Sequence, residues 1–260
     1  MTSVKIGDAF GKLLAAGFEQ SGVMEVIERD DGFVSSSPCA PYFAPFRSWP
    51  RHQRQSMRFA RGRVLDIGCG AGRVALHLQE RGHDVVAIDA SAGAVEICEQ
   101  RGVDDARVMR LADVGRPGRD LGTFDTIVMF GGNFGLLESN KRAPTLLRQL
   151  RRVSNPTTRI IAESLDPYLT DDPYHVAYHR RNRERGRMSG QIRLRVRYRE
   201  YATPWFDYLF VSRAEMHDLG AKGGWRVARF IPDEGPVYIA ILEPGTDGSA
   251  ALEQPVPDVR

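Results

Sequence analysis

The stretch V-L-D-I-G-C-G-A-G-R, Val64 to Arg73, sets an aspartate two residues ahead of three alternating glycines, within an apolar run. Val64, Leu65 and Ile67 read as a short buried strand. Gly68, Gly70 and Gly72 then bring the backbone close to a ligand as the chain turns into a helix. A dinucleotide turn is one reading, but its fingerprint is G-x-G-x-x-G, and Arg73 stands where the third glycine belongs. Charge speaks against it too. A pyrophosphate is held at such a helix start by N–H groups and the helix dipole, and Asp66 repels it. A ligand with a cationic group near the turn is attracted instead.

Around this stretch the chain alternates. The runs R-V-L-D-I-G-C-G, D-V-V-A-I-D-A-S, F-D-T-I-V-M-F-G-G and T-R-I-I-A-E-S-L-D each end in Gly, Asp or Ser and fit strands buried on both faces. A weaker strand, A-R-V-M-R-L, precedes Asp113. Helix-like segments lie between them at Gly72 to Arg81, Ala92 to Arg101 and Lys141 to Val153. Alternation of this kind predicts an α/β fold with a doubly wound, mostly parallel sheet. Further on, Q-I-R-L-R-V-R-Y-R-E-Y alternates strictly, with Ile192, Leu194, Val196 and Tyr198 on one face and four arginines on the other. That is a half-exposed antiparallel strand, with W-F-D-Y-L-F-V-S as its partner. A helix from about Ser212 to Ala221 leads to two last strands, W-R-V-A-R-F-I and P-V-Y-I-A-I-L-E. From Pro244 onward Gly, Pro, Ser and Asp predict a disordered tail.

V-L-D-I-G-C-G-A-G-R resembles the first motif of the class I S-adenosylmethionine-dependent methyltransferases, whose ligand carries an ammonium and a sulfonium. Three further stretches match that family in order. The resemblance makes Asp89, with Ala90, the ribose-binding acid, although dinucleotide folds also place an acid there. It sets Asp113 and the Val114 backbone against the adenine, and Phe130 to Phe134, with Gly131, in the loop that closes over the cofactor. With Asp66, Gly68, Gly70 and Gly72 these form the expected cofactor site. The family also implies a seven-stranded sheet ending in an antiparallel hairpin, with S-adenosyl-L-methionine as cofactor and S-adenosyl-L-homocysteine as product. The whole chain is further similar to an actinobacterial-type group of class I enzymes acting on small or unassigned substrates, through E-R-D-D-G-F, G-R-V-L-D-I-G-C-G-A-G-R and P-W-F-D-Y-L.

The organisation expected is one methyltransferase domain: an N-terminal cap (1–58), a cofactor core (59–165), a substrate or lid insert (166–211), the end of the core (212–243) and a tail (244–260). The insert carries nine arginines from Arg180 to Arg199 against the single Glu184. Three readings stand: a solvated face, a lid holding a carboxylate or phosphate of the acceptor, or a stripe for nucleic acid. The chain's net charge of only +3 and the lack of an aromatic stacking module weigh against nucleic acid. F-G-G-N-F-G-L-L has no proline pair of the kind found in base-methylating enzymes.

His175 and His179 stand four apart, so that on a helix they share a face. They are the candidate general bases, with hydrogen-bonded structural histidines as the alternative. Asn133, Tyr174 and Arg180 are the candidate substrate contacts. No metal-ligand pattern occurs. Cys39, Cys69 and Cys98 are too few and too scattered for a disulfide framework, which suits a reducing compartment. The absence of a signal-like start or an 18-residue apolar run adds the expectation of a cytoplasmic protein off the membrane. The function expected is methyl transfer to a small molecule, in secondary metabolism; a non-catalytic binding protein of the same fold and a nucleic-acid methyltransferase are the alternatives.

Overall fold

The computed structural model describes residues 4–245. Its strands, in chain order, are β1 (Lys5–Ile6), β2 (Met24–Arg29), β3 (Val34–Pro38), β4 (Val64–Ile67), β5 (Val85–Asp89), β6 (Ala106–Val108) and β7 (Phe124–Met129). There follow β8 (Ser154–Leu165), β9 (Gln191–Tyr198), β10 (Tyr201–Ala202), β11 (Phe206–Leu209), β12 (Trp225–Pro232) and β13 (Val237–Pro244). The α-helices are α1 (Ala9–Glu19), α2 (Arg51–Ser56), α3 (Arg73–Glu80), α4 (Ala92–Gln100), α5 (Ala143–Arg151), α6 (Pro173–Glu184) and α7 (Arg213–Lys222).

Seven strands form one sheet in the order β12-β13-β8-β7-β4-β5-β6. β4 pairs in parallel with β5 and β7, and β13 enters antiparallel to β8. This is the α/β fold expected from the alternation. Side chains of β4 point alternately to two apolar layers. Leu65 and Ile67 pack with Leu146, Leu147 and Leu150 of α5 and with Met216 and Leu219 of α7. Val64 packs with Val74, Ala75 and Leu78 of α3 on the other side. Burial on both faces is why these strands read as continuous apolar runs. The helix before the last hairpin begins with a capping box, the Ser212 hydroxyl accepting from the Glu215 N–H and the Glu215 carboxylate accepting from Ser212. The tail expected from Pro244 lies outside the described residues beyond Gly245, and Pro244 itself still pairs with Trp225.

The two segments outside the core do not form separate covers. They build one second sheet of six strands, in the order β1-β10-β9-β2-β3, with β11 also on β9. Ile27 of the N-terminal region pairs with Val196 of the insert, and Phe206 pairs with Leu194. β9 is the antiparallel strand its alternation predicts. Its Arg195 donates two hydrogen bonds to Glu28, at 3.0 Å each, and Arg197 adds a third at 3.2 Å. The opposite face of this sheet, bearing Ile27, Leu194, Val196 and Phe206, looks onto the core sheet's carboxyl ends. The second sheet is anchored through α1. Asp8, the N-cap of α1, accepts from the N–H of Gly11 at 2.8 Å and of Gly93 at 2.9 Å, and from the Ser91 hydroxyl. A Cβ on Gly11 would meet the Gly93 Cα at 2.7 Å, so only glycine lets α1 and α4 approach this closely.

Candidate active site

The glycine turn is built from left-handed residues: Gly68 (φ 71°), Gly70 (φ 55°) and Gly72 (φ 76°), the last being the N-cap of α3. L-residues with a side chain rarely adopt these angles, which is why three glycines alternate here. Asn133 secures the turn from the loop after β7. Its amide donates to the carbonyls of Ile67 at 3.0 Å and Gly68 at 2.9 Å, and its oxygen accepts from the Tyr208 hydroxyl at 3.3 Å. Asn133 therefore spends its polar atoms on the protein itself. A Cβ on Gly135 of the same loop would overlap the Tyr208 ring, so the loop and the second sheet fit only through a glycine.

Between the two sheets lies a cavity of about 2460 Å³. Asp66, Gly68, Gly70, Asp89, Ala90, Phe130, Gly131 and Asn133 line it. Asp89 accepts from the N–H of Gly70 at 3.0 Å and of Ser91 at 2.9 Å, leaving each oxygen a further lone pair. Burial raises its pKa, against those two donors. Asp66 is more extreme. It is fully enclosed, its Oδ2 has no hydrogen-bond partner, and burial pushes its pKa up to about 7. Arg73 opposes that shift and Asp89 reinforces it. The Arg73 guanidinium stands 4.6 Å from the centre of the Trp49 ring and, among the described residues, makes no hydrogen bond or ion pair. Gln53, also in the wall, has a buried and unpartnered Oε1.

Other expected residues lie elsewhere. Gly72 shapes the turn but does not line the cavity: a Cβ there would meet Val103 and Cys98. Asp113 is held by Arg116 at 3.3 Å and Val114 is sunk in the core, while Met109 to Ala112 supply the wall. Tyr174 and Arg180 are exposed and outside the lining, Arg180 facing Glu184 at 4.0 Å. Their position on the solvent side of α6 removes them as contacts to anything in the cavity.

His175 and His179 do share a face of α6 and line the cavity, but their chemistry differs from that of a general base. Arg29 donates to His175 Nδ1 at 2.9 Å, which leaves Nε2, 4.0 Å from Asp172, as the ring's N–H. No lone pair is left for an acceptor's proton. His179 is held neutral, its pKa lowered to about 4 by burial and then by His175, Arg29 and Arg183. A base that weak is mismatched to neutral pH. Arg29 itself is consumed: it grips Asp31 at 2.8 and 2.9 Å and stacks on Tyr178 at 4.1 Å. Of the insert's arginines, Arg195 and Arg197 point outward to Glu28 and Arg193 pairs with Asp207, while Arg29 of β2 is neutralised by Asp31.

Glu25, Tyr42 and Gln53 are among the cavity residues that sequence reading missed. Glu25 sits on β2, which the N-terminal cap expectation left without strands. The available signal was V-I-E-R-D-D-G-F-V-S, in which D-D-G separates two extended runs as in a hairpin.

Comparison with known proteins gives three results. The family model described as a methyltransferase domain matches residues 64–157. Cypemycin N-terminal methyltransferase of a Streptomyces species is 33% identical over 107 residues, 40% of this chain and 42% of that protein. A solved S-adenosylmethionine-dependent methyltransferase from Bacteroides fragilis, in complex with S-adenosyl-L-homocysteine, superposes with a TM-score of 0.77 at 26% identity, covering 95% of this chain and 100% of that one. Residues 64–157 thus match a methyltransferase domain, and the chain has the fold of the S-adenosylmethionine-dependent methyltransferases. The 2-heptyl-1-hydroxyquinolin-4(1H)-one methyltransferase of Mycobacteroides abscessus is 39% identical over 72 residues, 26% of this chain and 31% of that protein. Each match to such a curated relative spans about half of its length or less.

The solved Bacteroides fragilis protein holds S-adenosyl-L-homocysteine, and the polar groups around the turn of this chain fit the amino-acid end of such a ligand. Two buried acceptors, Asp66 Oδ2 and Gln53 Oε1, lack donors, and one half-buried cation, Arg73, makes no ion pair among the described residues. An ammonium and a carboxylate supply both needs. Among the described residues no three His, Cys, Asp or Glu side chains are placed to hold a metal ion, and no helix is long and apolar enough to cross a membrane.

Proposed function

We propose that the protein transfers the methyl group of S-adenosylmethionine to a small molecule bound between its two sheets. When bound, the cofactor supplies a methyl group already activated by its sulfonium. The observation that carries this reading is the single cavity joining the glycine turn to the inner face of the second sheet. Asp66 and Gln53 would take the ammonium, Arg73 the carboxylate, and Asp89 the ribose hydroxyls; Met109 to Ala112, which line the cavity where Asp113 and Val114 do not, would flank the adenine. Phe130 and Gly131 would close on the methionine chain.

The chain's part in the chemistry is alignment and exclusion of water. In-line displacement depends on holding nucleophile and methyl carbon in register, and a walled site keeps water out. Ile27, Leu194, Val196 and Phe206 supply such a wall. The enclosed space between the sheets suits a small molecule, and the similarity to the 2-heptyl-1-hydroxyquinolin-4(1H)-one methyltransferase of Mycobacteroides abscessus supports an acceptor of the secondary-metabolite kind. Outward-facing, carboxylate-paired arginines leave little for nucleic acid to grip. A crystal structure with S-adenosyl-L-homocysteine tests the reading. The sulfur is expected to face the space under β2, β9 and β11; a sulfur turned into a solid protein wall would overturn it.

A further inference from the structure

The inner face of the second sheet is largely apolar, with two charged side chains of β2, Glu25 and Arg29, on it. Glu25 projects from β2 on the same face as Ile27 and is buried. Its neighbours across the sheet are Ser37 of β3 and, along the face, Ile27 and Val196. The Tyr42 hydroxyl donates to its Oε1 at 3.0 Å and the Ser37 hydroxyl to its Oε2 at 3.3 Å. No cation pairs with it. Of the cavity's other charged groups, Arg29 is paired with Asp31, Arg193 with Asp207 at 3.6 Å, Glu138 with Arg142 at 3.2 Å, and Asp8 with Ser91 and two backbone N–H groups, while Asp66, Arg73 and Asp89 stand at the glycine turn. Tyr42 in turn ties Glu25 to the cofactor side, since a Cβ on Gly70 would meet its ring at 3.3 Å.

We propose that Glu25 binds a protonated amine of an otherwise apolar acceptor and takes its proton, so that this enzyme methylates nitrogen. The proposal rests on the methyltransferase reading above. A buried carboxylate held only by two neutral hydroxyls is costly, and a cationic ligand is what offsets that cost. Burial also raises its proton affinity, which suits a group that must accept a proton. The step balances. One proton passes from the ammonium to the Glu25 carboxylate, and the freed nitrogen lone pair attacks the methyl carbon. The C–N bond forms as the C–S bond breaks, its electron pair stays on sulfur, and the positive charge passes from sulfonium to the methylated nitrogen. The protonated Glu25 then loses its proton to solvent when product leaves.

The test uses the full chain saturated with S-adenosyl-L-homocysteine and three isosteric probes: 2-phenylethylamine, 2-phenylethanol and 3-phenylpropionate. Calorimetry on the wild type is expected to rank the amine at least about tenfold tighter than the alcohol, with the carboxylate weakest. In Glu25→Gln the amine preference should vanish while S-adenosyl-L-homocysteine affinity stays within about twofold. The wild-type ranking needs no variant, so a poorly folding Glu25→Gln does not shelter the proposal. An alcohol or carboxylate bound as tightly as the amine overturns it, as does an amine preference that survives Glu25→Gln. Wild-type protein that fails to bind S-adenosyl-L-homocysteine overturns the methyltransferase reading itself, and this proposal with it.

Discussion

Asp66 carries the clearest pH signature of any residue. Its carboxyl, with a pKa near 7 in the ligand-free fold against the usual carboxylate value near 4, binds a proton more tightly folded than unfolded. Stability therefore falls as pH rises through that window, and the loss is complete above about 7. Asp66→Asn escapes the penalty. It should melt higher than wild type at pH 8 by an amount worth on the order of a few kcal/mol, and show no gain at about pH 4, as scanning calorimetry would record. Ligand affinity runs the other way. Only the ionised carboxylate attracts an ammonium, so S-adenosyl-L-homocysteine should bind about tenfold tighter at pH 8 than at pH 6, a slope that Asp66→Asn flattens. Asp89→Ala removes acceptors for two hydroxyls and frees two backbone N–H groups. Titration should show binding weaker by roughly 1.5–3 kcal/mol, and an unchanged affinity would remove Asp89 from the site. Asp66, Asp89 and the glycines were legible because strand ends and positive-φ turns demand particular residue types. Glu25 and Gln53 were not, since nothing local distinguishes a buried acid or amide from an exposed one.

At the scale of elements, the core was readable and the junctions were not. The helices expected at Gly72 to Arg81, Ala92 to Arg101 and Lys141 to Val153 form as α3, α4 and α5, each a little shorter. Period and caps are local properties. The pairing of β2 with β9 joins residues far apart in the chain, and a strand with one polar face does not name its partner. The histidines illustrate the same limit, because Arg29 on a distant strand fixes the His175 tautomer and burial lowers the His179 pKa. His175→Ala should accordingly loosen the docking of α6. Hydrogen exchange of residues 173–184 is expected to quicken while S-adenosyl-L-homocysteine affinity stays within about twofold of wild type. Unaltered exchange there would mean that the Arg29–His175 bond does not hold the helix. Gly135→Ala drives a methyl into the Tyr208 ring and should cost about 1–3 kcal/mol in urea unfolding. No loss of stability would contradict the contact that joins the β7 loop to the second sheet.

The whole molecule divides its work between two sheets. The seven-stranded sheet presents acids and a glycine turn at its carboxyl ends, where open α/β folds hold ligands. The six-stranded sheet, half from each flanking segment, roofs that edge with a largely apolar face that also carries Glu25 and Arg29, and turns Arg195 and Arg197 outward. This division explains why so strong an arginine run says little about the substrate: its charge is matched by Glu28 and solvent. Titration calorimetry of the wild-type chain with S-adenosyl-L-homocysteine, repeated in the presence of NAD, tests the central claim most directly. One site per chain with a dissociation constant of about 10 μM or tighter, undisturbed by NAD, is the result predicted. Absence of binding at about 1 mM, or displacement by NAD at micromolar concentration, would contradict it.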